Sequence, residues 1–330
     1  MVRTIAATTP DELRQFCNLP GETPLHAKPD GDEHLLTLVE DEAQARCSLW
    51  WHGLPAMDNH RLGYIGHFAA HSATAARDLI DRACRRLAQL GRTLAVGPID
   101  GSTWRRYRLV TERGNDPPFF LEPDNPDEWP GYFRDAGFEP MAHYTSALDL
   151  ELHKIDPRVA DTSSRMAALD VRVRQMDPAS FDDEVSRIFD ISVVSFRTAF
   201  LYSPIDREQC RAMYEPLKQF IRPELVFIAE RRDAPVGFLF AVPDWLQAQR
   251  GAAIDTVIVK TIAILPQPEY SGLGGLLLSQ CRNRIAELGY SRAVHALMYD
   301  GNTRTRRLSD RYGQTMRGYT LFSRPLSALS

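Results

Sequence analysis

The stretch Glu269–Leu278, EYSGLGGLLL, places three glycines directly in front of a run of leucines. Glycine is a poor helix former, yet the following residues keep helical spacing as far as Leu288, and Gly289 is suited to end a helix. The first turn of a helix has free N–H groups and the positive end of the dipole, and glycines let a phosphate reach that backbone. The stretch therefore predicts either a phosphate-binding loop or a tight bend that packs a helix against a sheet.

Two familiar nucleotide-binding patterns do not fit the residues around this loop. A dinucleotide-binding fold requires GxGxxG, with an acidic residue about twenty positions later. Here Gly272-x-Gly274 is followed by Leu276-Leu277, and no Walker lysine is present. The loop follows the β-branched run 255–265, DTVIVKTIAIL, which predicts a central strand. The order of strand, glycine loop and helix is thus present without either signature.

Length and composition limit the class of protein. A chain of 330 residues exceeds the usual size of one domain, so we expect two. No window approaches the roughly 18 apolar residues of a membrane span, and the N-terminus lacks the apolar core of a secretory signal. A net charge of −4 argues against general nucleic-acid binding. We therefore expect a cytoplasmic protein with neither a membrane nor a nucleic-acid partner.

The cysteines are scattered and odd in number, and no two of them form a CxxC pair. This spacing is typical of reduced thiols, so we expect neither a disulfide framework nor a metal site. The five positions are Cys17, Cys47, Cys84, Cys210 and Cys281.

The second half of the chain alternates predicted helices and strands. Apolar spacing and caps predict the helices, with Ser203 or Asp206 as the N-cap of the second, and β-branched or aromatic runs predict the strands. In chain order we expect helices at 177–196 and 206–220, two strands within 224–242 joined by a turn at 231–235, a strand at 255–265, a helix at 272–288, a strand at 291–299, a helix at 302–312 and a strand at 319–326.

An internal repeat relates the two halves. RLAQLGRTLAV at 86–96 matches RIAELGYSRAV at 284–294 in six of eleven positions, and an Asp-Gly turn follows both copies. We therefore predict one domain at 1–152 and another at 160–330, with the polar stretch 153–165 as the linker.

The two copies differ at the entrance of the repeated helix. Gly272 and Gly274 fall opposite Thr74 and Ala76, so the first half has no glycine there. We expect that only the second half binds a phosphate group, and that the first half shapes a neighbouring binding site instead.

The segment 261–290, TIAILPQPEYSGLGGLLLSQCRNRIAELGY, resembles the acyl-CoA-binding motif of the GNAT superfamily of N-acyltransferases. That motif is an apolar strand ending near a proline, then [Q/R]-x-x-G-x-[G/A] and a helix. The segment 302–313, NTRTRRLSDRYG, resembles a second motif of the superfamily. The resemblance covers about 165–325, and the first half resembles a degenerate second copy.

The resemblance implies an α/β (α+β) fold of two tandem GNAT-like domains, each a mixed, mostly antiparallel central sheet flanked by helices. It implies transfer of an acetyl group from acetyl-CoA to a primary amine of a small, amino-acid-like acceptor, with no metal; it leaves oligomer formation open. It assigns coenzyme A to Ile262, Ala263, Ile264, Ser271, Gly272, Leu273, Gly274, Gly275 and Asn302.

The chain departs from the superfamily pattern at three positions. Glu269 and Tyr270 replace the usual Arg/Gln and glycine of the loop, and a carboxylate beside a pyrophosphate is repulsive unless it turns outward. Ser309 occupies the position of the tyrosine that serves as the acid in many members, and Tyr312 lies nearly one helical turn further on. Both are candidates to protonate the leaving thiolate, with water as the alternative.

The general base and the acceptor contacts are predicted less directly. Glu230 and His295 are candidate bases, each with a structural role as the alternative. Phe200 and Tyr202 are candidate walls of the acceptor site. Lys260 is a third candidate contact; it alternates with Ile258 and Ile262 and is expected to share their face, with a substrate carboxylate, Asp255 or Glu230 as its partner.

Two other functions remain open from the sequence. The protein could be a non-catalytic acyl-CoA-binding or regulatory module, or it could catalyse another acyl-CoA reaction such as decarboxylation. In the first half, Asp100 and Trp104 in GPIDGSTW fit a capped turn better than a site.

Overall fold

The computed structural model describes residues 1–26 and 28–327. The first half contains the strands β1 (Val2–Ala6), β2 (Glu33–Val39), β3 (Glu42–Trp50), β4 (Leu62–Ala70), β5 (Leu94–Gly97), β6 (Leu109–Glu112) and β7 (Glu139–Asp149), and the helices α1 (Pro10–Cys17), α2 (Ala73–Gln89) and α3 (Trp129–Asp135). The second half contains the strands β8 (Val171–Gln175), β9 (Val226–Arg231), β10 (Ala234–Pro243), β11 (Thr256–Ile264), β12 (Arg292–Tyr299) and β13 (Gln314–Pro325), and the helices α4 (Arg158–Ala168), α5 (Phe181–Ser195), α6 (Arg207–Tyr214), α7 (Trp245–Gln249), α8 (Leu273–Glu287) and α9 (Thr303–Ser309).

One mixed sheet runs through both halves, in the order β1-β2-β3-β4-β5-β13-β7-β12-β11-β10-β9-β8, and β6 pairs with β13. Each half has one parallel pair, β4 with β5 and β11 with β12, among antiparallel neighbours. The parallel registers correspond, because Leu62 lies opposite Leu94 and Thr256 lies opposite Arg292. The tandem architecture predicted from the repeat is confirmed.

The last strands of the two halves are exchanged. β7, from the first half, lies between β12 and β13, whereas β13, from the end of the chain, pairs with β5. Each half therefore completes its sheet with a strand from the other. The stretch 153–165 lies between the two halves in the sequence, but the sheet itself has no such division because of this exchange. The predicted boundaries at 152 and 160 stay predictions.

Helices cover both faces of the second half of the sheet. α8 and α4 pack on one face, around Leu277 and Met166, and α5 and α6 pack on the other, around Ile188 and Cys210. α6 begins at Asp206, whose side chain accepts from the Gln209 amide in a capping box, so the second of the two predicted N-caps is observed.

The polar stretch predicted as a linker differs in the structure. Its second part forms α4, which packs against α8. Val159, Thr162, Met166 and Leu169 follow helical spacing and lie on the packed side, which explains why few apolar residues suffice. The solvent-facing side of α4 is largely polar, and for this reason the amino-acid composition of the segment suggested a linker instead of a helix.

Within residues 1–26 and 28–327, no helix is both long and apolar enough to cross a membrane. The five cysteines are buried, and none of them is paired in a disulfide.

Candidate active site

A cavity of about 2470 Å³ lies where the two halves meet. The second half contributes the end of β11, the glycine loop, β12 and α9 to its wall, and the first half contributes residues around 103–108 and 121–127. Because both halves line it, the site is incomplete in either one.

The cavity follows the gap between two diverging parallel strands. β11 and β12 pair only from Thr256–Val259 with Arg292–His295, and then β12 continues against β7 alone. Beyond this point β11 is paired on one edge with β10, and its other edge lines the cavity. The residues assigned to the cofactor strand, 262–264, lie on this open edge.

The glycine loop places free amides at the N-terminus of α8. Gly272 is the N-cap residue, with φ +90°, and its carbonyl accepts from the Gly275 amide at 2.9 Å. In the part of the chain that the structure describes, the amides of Gly272, Leu273 and Gly274 donate to no backbone or side-chain group. These three N–H groups suit a phosphate, and together with the open strand edge they fit the coenzyme A that the sequence suggests.

Glycine at 272 is required by packing, the alternative that the sequence left open, as well as by its backbone conformation. Besides its positive φ, a Cβ there would lie 3.0 Å from Oγ1 of Thr162 in α4, so glycine is needed for packing as well. A Cβ on Gly274 would lie 3.5 Å from Ile262, an ordinary contact. Ser271 is held by its carbonyl, which accepts from Arg165 at 2.7 Å.

The two unusual loop residues have structural roles. The carboxylate of Glu269 lies 3.7 Å from Arg231 and is partly exposed, so it turns toward a cation on β9. Tyr270 is buried in the core beneath α8. Asn302 is the N-cap of α9, where its side chain accepts from the Thr305 amide at 3.2 Å.

His295 and Ser309, two of the predicted catalytic residues, are brought together on the cavity wall. Nδ1 of His295 lies 2.9 Å from Oγ of Ser309, and its Nε2 lies 3.7 Å from the Asp149 carboxylate. Burial lowers the pKa of His295 to about 4, so the imidazole is neutral at neutral pH. Asp149 is already paired with Arg282 at 2.7 Å, and both side chains are fully buried.

Tyr312 lies behind this pair and not on the cavity wall. Its hydroxyl donates to Asp156 at 3.5 Å, and Arg282 lies over its ring at 3.8 Å. Burial, and then the Asp156 carboxylate, raise the pKa of Tyr312, which keeps it protonated. Its position favours packing over proton transfer.

Glu230 lies away from the cavity. Arg174 donates to both of its carboxylate oxygens, at 2.7 and 3.0 Å, and Arg187 lies 3.3 Å away. Because Glu230 does not line the cavity and its carboxylate is held by two arginines, the structure gives this candidate no support.

Lys260 occupies a β-bulge at the point where the strands diverge. Between β10 and β11 the register shifts so that Lys260 has no partner in the ladder. The bulge places Ile258 and Ile262 on opposite faces of the sheet, since Ile258 packs with α5 and Ile262 packs with α8. The expectation that all three residues share a face is therefore wrong.

The partner of Lys260 was not foreseen. Its Nζ donates to the Leu121 carbonyl of the first half at 3.0 Å. Asp255 is engaged by Thr256 and Gln247 instead. Burial, assisted by the charge of Arg108, lowers the pKa of Lys260 to about 7. A lysine in this state can accept a proton near neutral pH.

The predicted acceptor walls line the cavity. The Phe200 ring stacks on Tyr299, with centroids 5.4 Å apart, and Tyr202 packs edge-on against Trp104 of the first half. The indole N–H of Trp104 donates to the Ser203 carbonyl at 2.8 Å. Trp104 thus belongs to the site, beyond the capped turn that the sequence favoured.

A buried polar cluster beside Lys260 was missed by sequence reasoning. Arg108 is 5% exposed and lies between the rings of Tyr107 and Tyr144, 4.1 and 4.2 Å from their centroids. Close by, Glu122 pairs with Arg317 at 3.0 Å, and both side chains are almost fully buried. Burial raises the pKa of Glu122. These residues lie in irregular segments and on the exchanged strand, where no local pattern singles them out.

The equivalent gap in the first half is closed. After β5 the chain folds back over β4, where the Ile99 amide donates to the Ile65 carbonyl at 2.9 Å. A Cβ on Gly66 would lie 2.1 Å from the Ile99 carbonyl oxygen, so the two segments are in direct contact. At the helix entrance the Ser72 side chain accepts from the Ala75 amide at 3.2 Å. The expectation that the first half holds no coenzyme A stays a prediction.

No protein-family model matches the chain. Among curated proteins, one named bacterial ceramide synthase, from Caulobacter vibrioides, is 26% identical over 189 residues. The aligned stretch covers 55% of this chain and 48% of that protein, so the chain spans about half the length of this relative.

Similar solved structures cover nearly the whole chain. An Anabaena variabilis GNAT N-acetyltransferase superposes with a TM-score of 0.58 at 11% identity, over 99% of this chain and 73% of that one. The glucosamine N-acetyltransferase region of a fungal multi-domain β-N-acetylglucosaminidase superposes with a TM-score of 0.57 at 11% identity, over 98% of this chain and 38% of that one. A tandem GNAT protein from the clavulanic acid biosynthesis pathway superposes with a TM-score of 0.52 at 9% identity, over all of both chains. The chain therefore has the tandem GNAT fold, with two copies of the GNAT unit in one polypeptide.

Proposed function

We propose that the protein is an acyl-CoA-dependent N-acyltransferase that transfers an acetyl group from acetyl-CoA to a primary amine. The observation that carries the proposal is the gap between β11 and β12, which leads from an open strand edge to the uncapped N-terminus of α8. The edge at 262–264 would pair with the amide groups of the pantetheine arm. The amides of 272–274 would hold the pyrophosphate, at about 1.5–3 kcal/mol for each charge-assisted hydrogen bond.

The reaction needs a proton acceptor and a proton donor. The amine nitrogen forms a bond to the thioester carbon, the carbon–sulfur bond breaks, the nitrogen loses a proton and the leaving thiolate gains one. Lys260 would accept the amine proton, because its pKa of about 7 leaves a large neutral fraction at neutral pH. Ser309, backed by His295, would donate to the thiolate.

A second donor class is supported by the size of the cavity. Its volume of about 2470 Å³ exceeds the 300–1,000 Å³ of common small-molecule sites. Acetyl-CoA and a small amine would leave much of it unfilled, and a long acyl chain would use that space. The name of the ceramide synthase relative would also suit a long chain.

The test measures thiol release and product mass with acetyl-, octanoyl- and palmitoyl-CoA against a panel of primary amines. We expect amide formation, and calorimetry should give one coenzyme A per chain. Coenzyme A binding without any turnover would point to a non-catalytic module. Carbon dioxide loss from malonyl-CoA would point to decarboxylation. Two coenzyme A molecules bound per chain would contradict the expectation that the first half binds none.

A further inference from the structure

Arg108 is a buried cation with few partners. Its guanidinium is enclosed by the rings of Tyr107, Tyr144 and Tyr319. Nη1 donates to the Tyr107 hydroxyl at 2.8 Å, whereas Nε is buried without a hydrogen-bond partner. Within the described residues, Arg108 forms no ion pair. Its side chain lines the cavity between the halves.

The charges around Arg108 do not balance. The buried cluster around Arg108 also contains Lys260, whose pKa of about 7 leaves it partly neutral, and the ion pair of Arg317 with Glu122. Glu122 is already held by Arg317 at 3.0 Å and accepts from the Tyr319 hydroxyl. A buried guanidinium without a counter-ion is costly, and an anion that enters the cavity would remove that cost.

The position of Arg108 separates this anion from the phosphates of coenzyme A. The glycine loop is surrounded by α4 and α9, through Thr162 and Leu308. Arg108 instead lies among aromatic residues of the cluster that joins the halves, together with Phe200 and Tyr299. The anion it attracts would therefore belong to the acceptor, on the side of the cavity where the acceptor walls lie.

We propose that Arg108 recognises an anionic group, a carboxylate or a phosphate, on the amine acceptor, and so makes the protein selective for anionic amines. The inference rests on the proposed function, because it defines the acceptor of the same site. Arginine suits this task, since its planar guanidinium donates two parallel hydrogen bonds to a carboxylate or a phosphate and stacks on aromatic rings. The rings of Tyr107 and Tyr144 hold the guanidinium of Arg108 in place.

The first experiment compares amines that differ only in the anion. L-leucine is paired with 3-methylbutylamine, and O-phosphoethanolamine with ethanolamine, using the donor that the protein accepts. For at least one pair we expect kcat/KM to be at least thirtyfold higher for the anionic member. Equal rates, or a preference for the neutral member of both pairs, would overturn the proposal while leaving the acyltransferase function intact.

The second experiment tests the residue. Arg108→Met should raise KM for the anionic amine at least tenfold, with coenzyme A affinity unchanged. Arg113→Met is the matched control: Arg113 lines the same cavity, but Asp124 and Asp127 already pair with it. If both variants change KM equally, Arg108 has no special part in recognition.

A third experiment does not depend on turnover or on a variant that folds. Calorimetry with the wild-type protein uses phenylacetate and phenyl phosphate as anionic probes and benzyl alcohol as the neutral one, with and without saturating coenzyme A. Binding of an anionic probe in the presence of coenzyme A supports the site, and the stronger of the two identifies the anion. If neither binds, the proposal fails even when amines are acylated. If one binds and no amine is acylated, the anion site stands and the proposed function fails.

Discussion

Replacing Asp149 by asparagine should cost about 3 kcal/mol of unfolding free energy, because it removes the counter-ion of a fully buried arginine. Asp149 lies on the exchanged strand β7, and Arg282 lies on α8 of the second half. Their side chains are 0% and 1% exposed, and Nε of Arg282 lies 2.7 Å from the carboxylate. Breaking such a pair from one side costs about 3–5 kcal/mol in proteins.

The lower end of that range applies here. Arg282 also donates to the backbone carbonyls of Glu151 and Lys154, and it lies over the ring of Tyr312. These contacts remain in Asp149→Asn, and asparagine keeps the size of the side chain. A cation–π contact contributes about 0.5–2 kcal/mol, so part of the loss is offset.

The assay is urea unfolding, followed by tryptophan fluorescence and by circular dichroism. Glu151→Gln is the control, since its pair with Lys154 is exposed and should contribute less than about 0.5 kcal/mol. In Asp149→Asn/Arg282→Met, removing the orphaned charge should recover a substantial part of the loss. A loss below about 1 kcal/mol for Asp149→Asn, or strict additivity in the double variant, would refute the argument that buried Arg282 depends on Asp149 as its counter-ion.

Three further outcomes are expected. Gly272→Ala should weaken acetyl-CoA binding at least tenfold, because the φ of residue 272 is +90° and the new Cβ would meet α4. The control Gly289→Ala, at φ +87° with open space around it, should lower the free energy of unfolding and leave acetyl-CoA binding unchanged. If calorimetry gives the two variants equal affinities for acetyl-CoA, the reasoning is wrong. The folded state holds the pKa of Lys260 near 7, below its value in the unfolded chain, so the stability that depends on this group rises with pH from about 7 toward 10.5. Lys260→Met should therefore raise the free energy of unfolding by at most about 5 kcal/mol at pH 6 and by less at pH 9.5. Unfolding curves in which variant and wild type differ by the same amount at both pH values would refute the pKa shift. Ser309→Ala should lower kcat at least tenfold while leaving the affinity for acetyl-CoA unchanged, and Tyr312→Phe should lower kcat less than about threefold. If steady-state kinetics give the opposite ranking, the tyrosine is the acid.

Local sequence patterns were sufficient for the centre of the second half. The β-branched run, the glycine loop and the helical spacing after it are all short-range signals, and β11, the loop and α8 follow them. The repeat at 86–96 and 284–294 predicted the second copy, because a duplicated strand–helix order is visible without knowing any contact. Phe200 and Tyr202 were proposed from the family resemblance, and both line the cavity; their role as acceptor walls stays a prediction.

The residues that sequence reasoning missed are placed by long-range contacts. Arg108 and Glu122 lie in irregular segments whose position depends on the other half, and Arg317 lies on β13, which crosses into the first half of the sheet. A single bulge moved Lys260 out of the alternation that predicted its face, and its partner lies 139 residues away. No periodicity records such pairings, since a bulge adds only one residue to a strand.

The sequence by itself determined the order of strand, glycine loop and helix at 255–288 and the repeat of the two halves, because these depend on spacing, caps and glycine conformations within a few residues. Only the tertiary structure decided that β7 and β13 change places, that the first gap is closed by the chain after β5, and that Arg108, which forms no ion pair among the described residues, lines the cavity. Strand partners and buried charges depend on which distant surfaces exclude water together, and that is settled when the two halves pack.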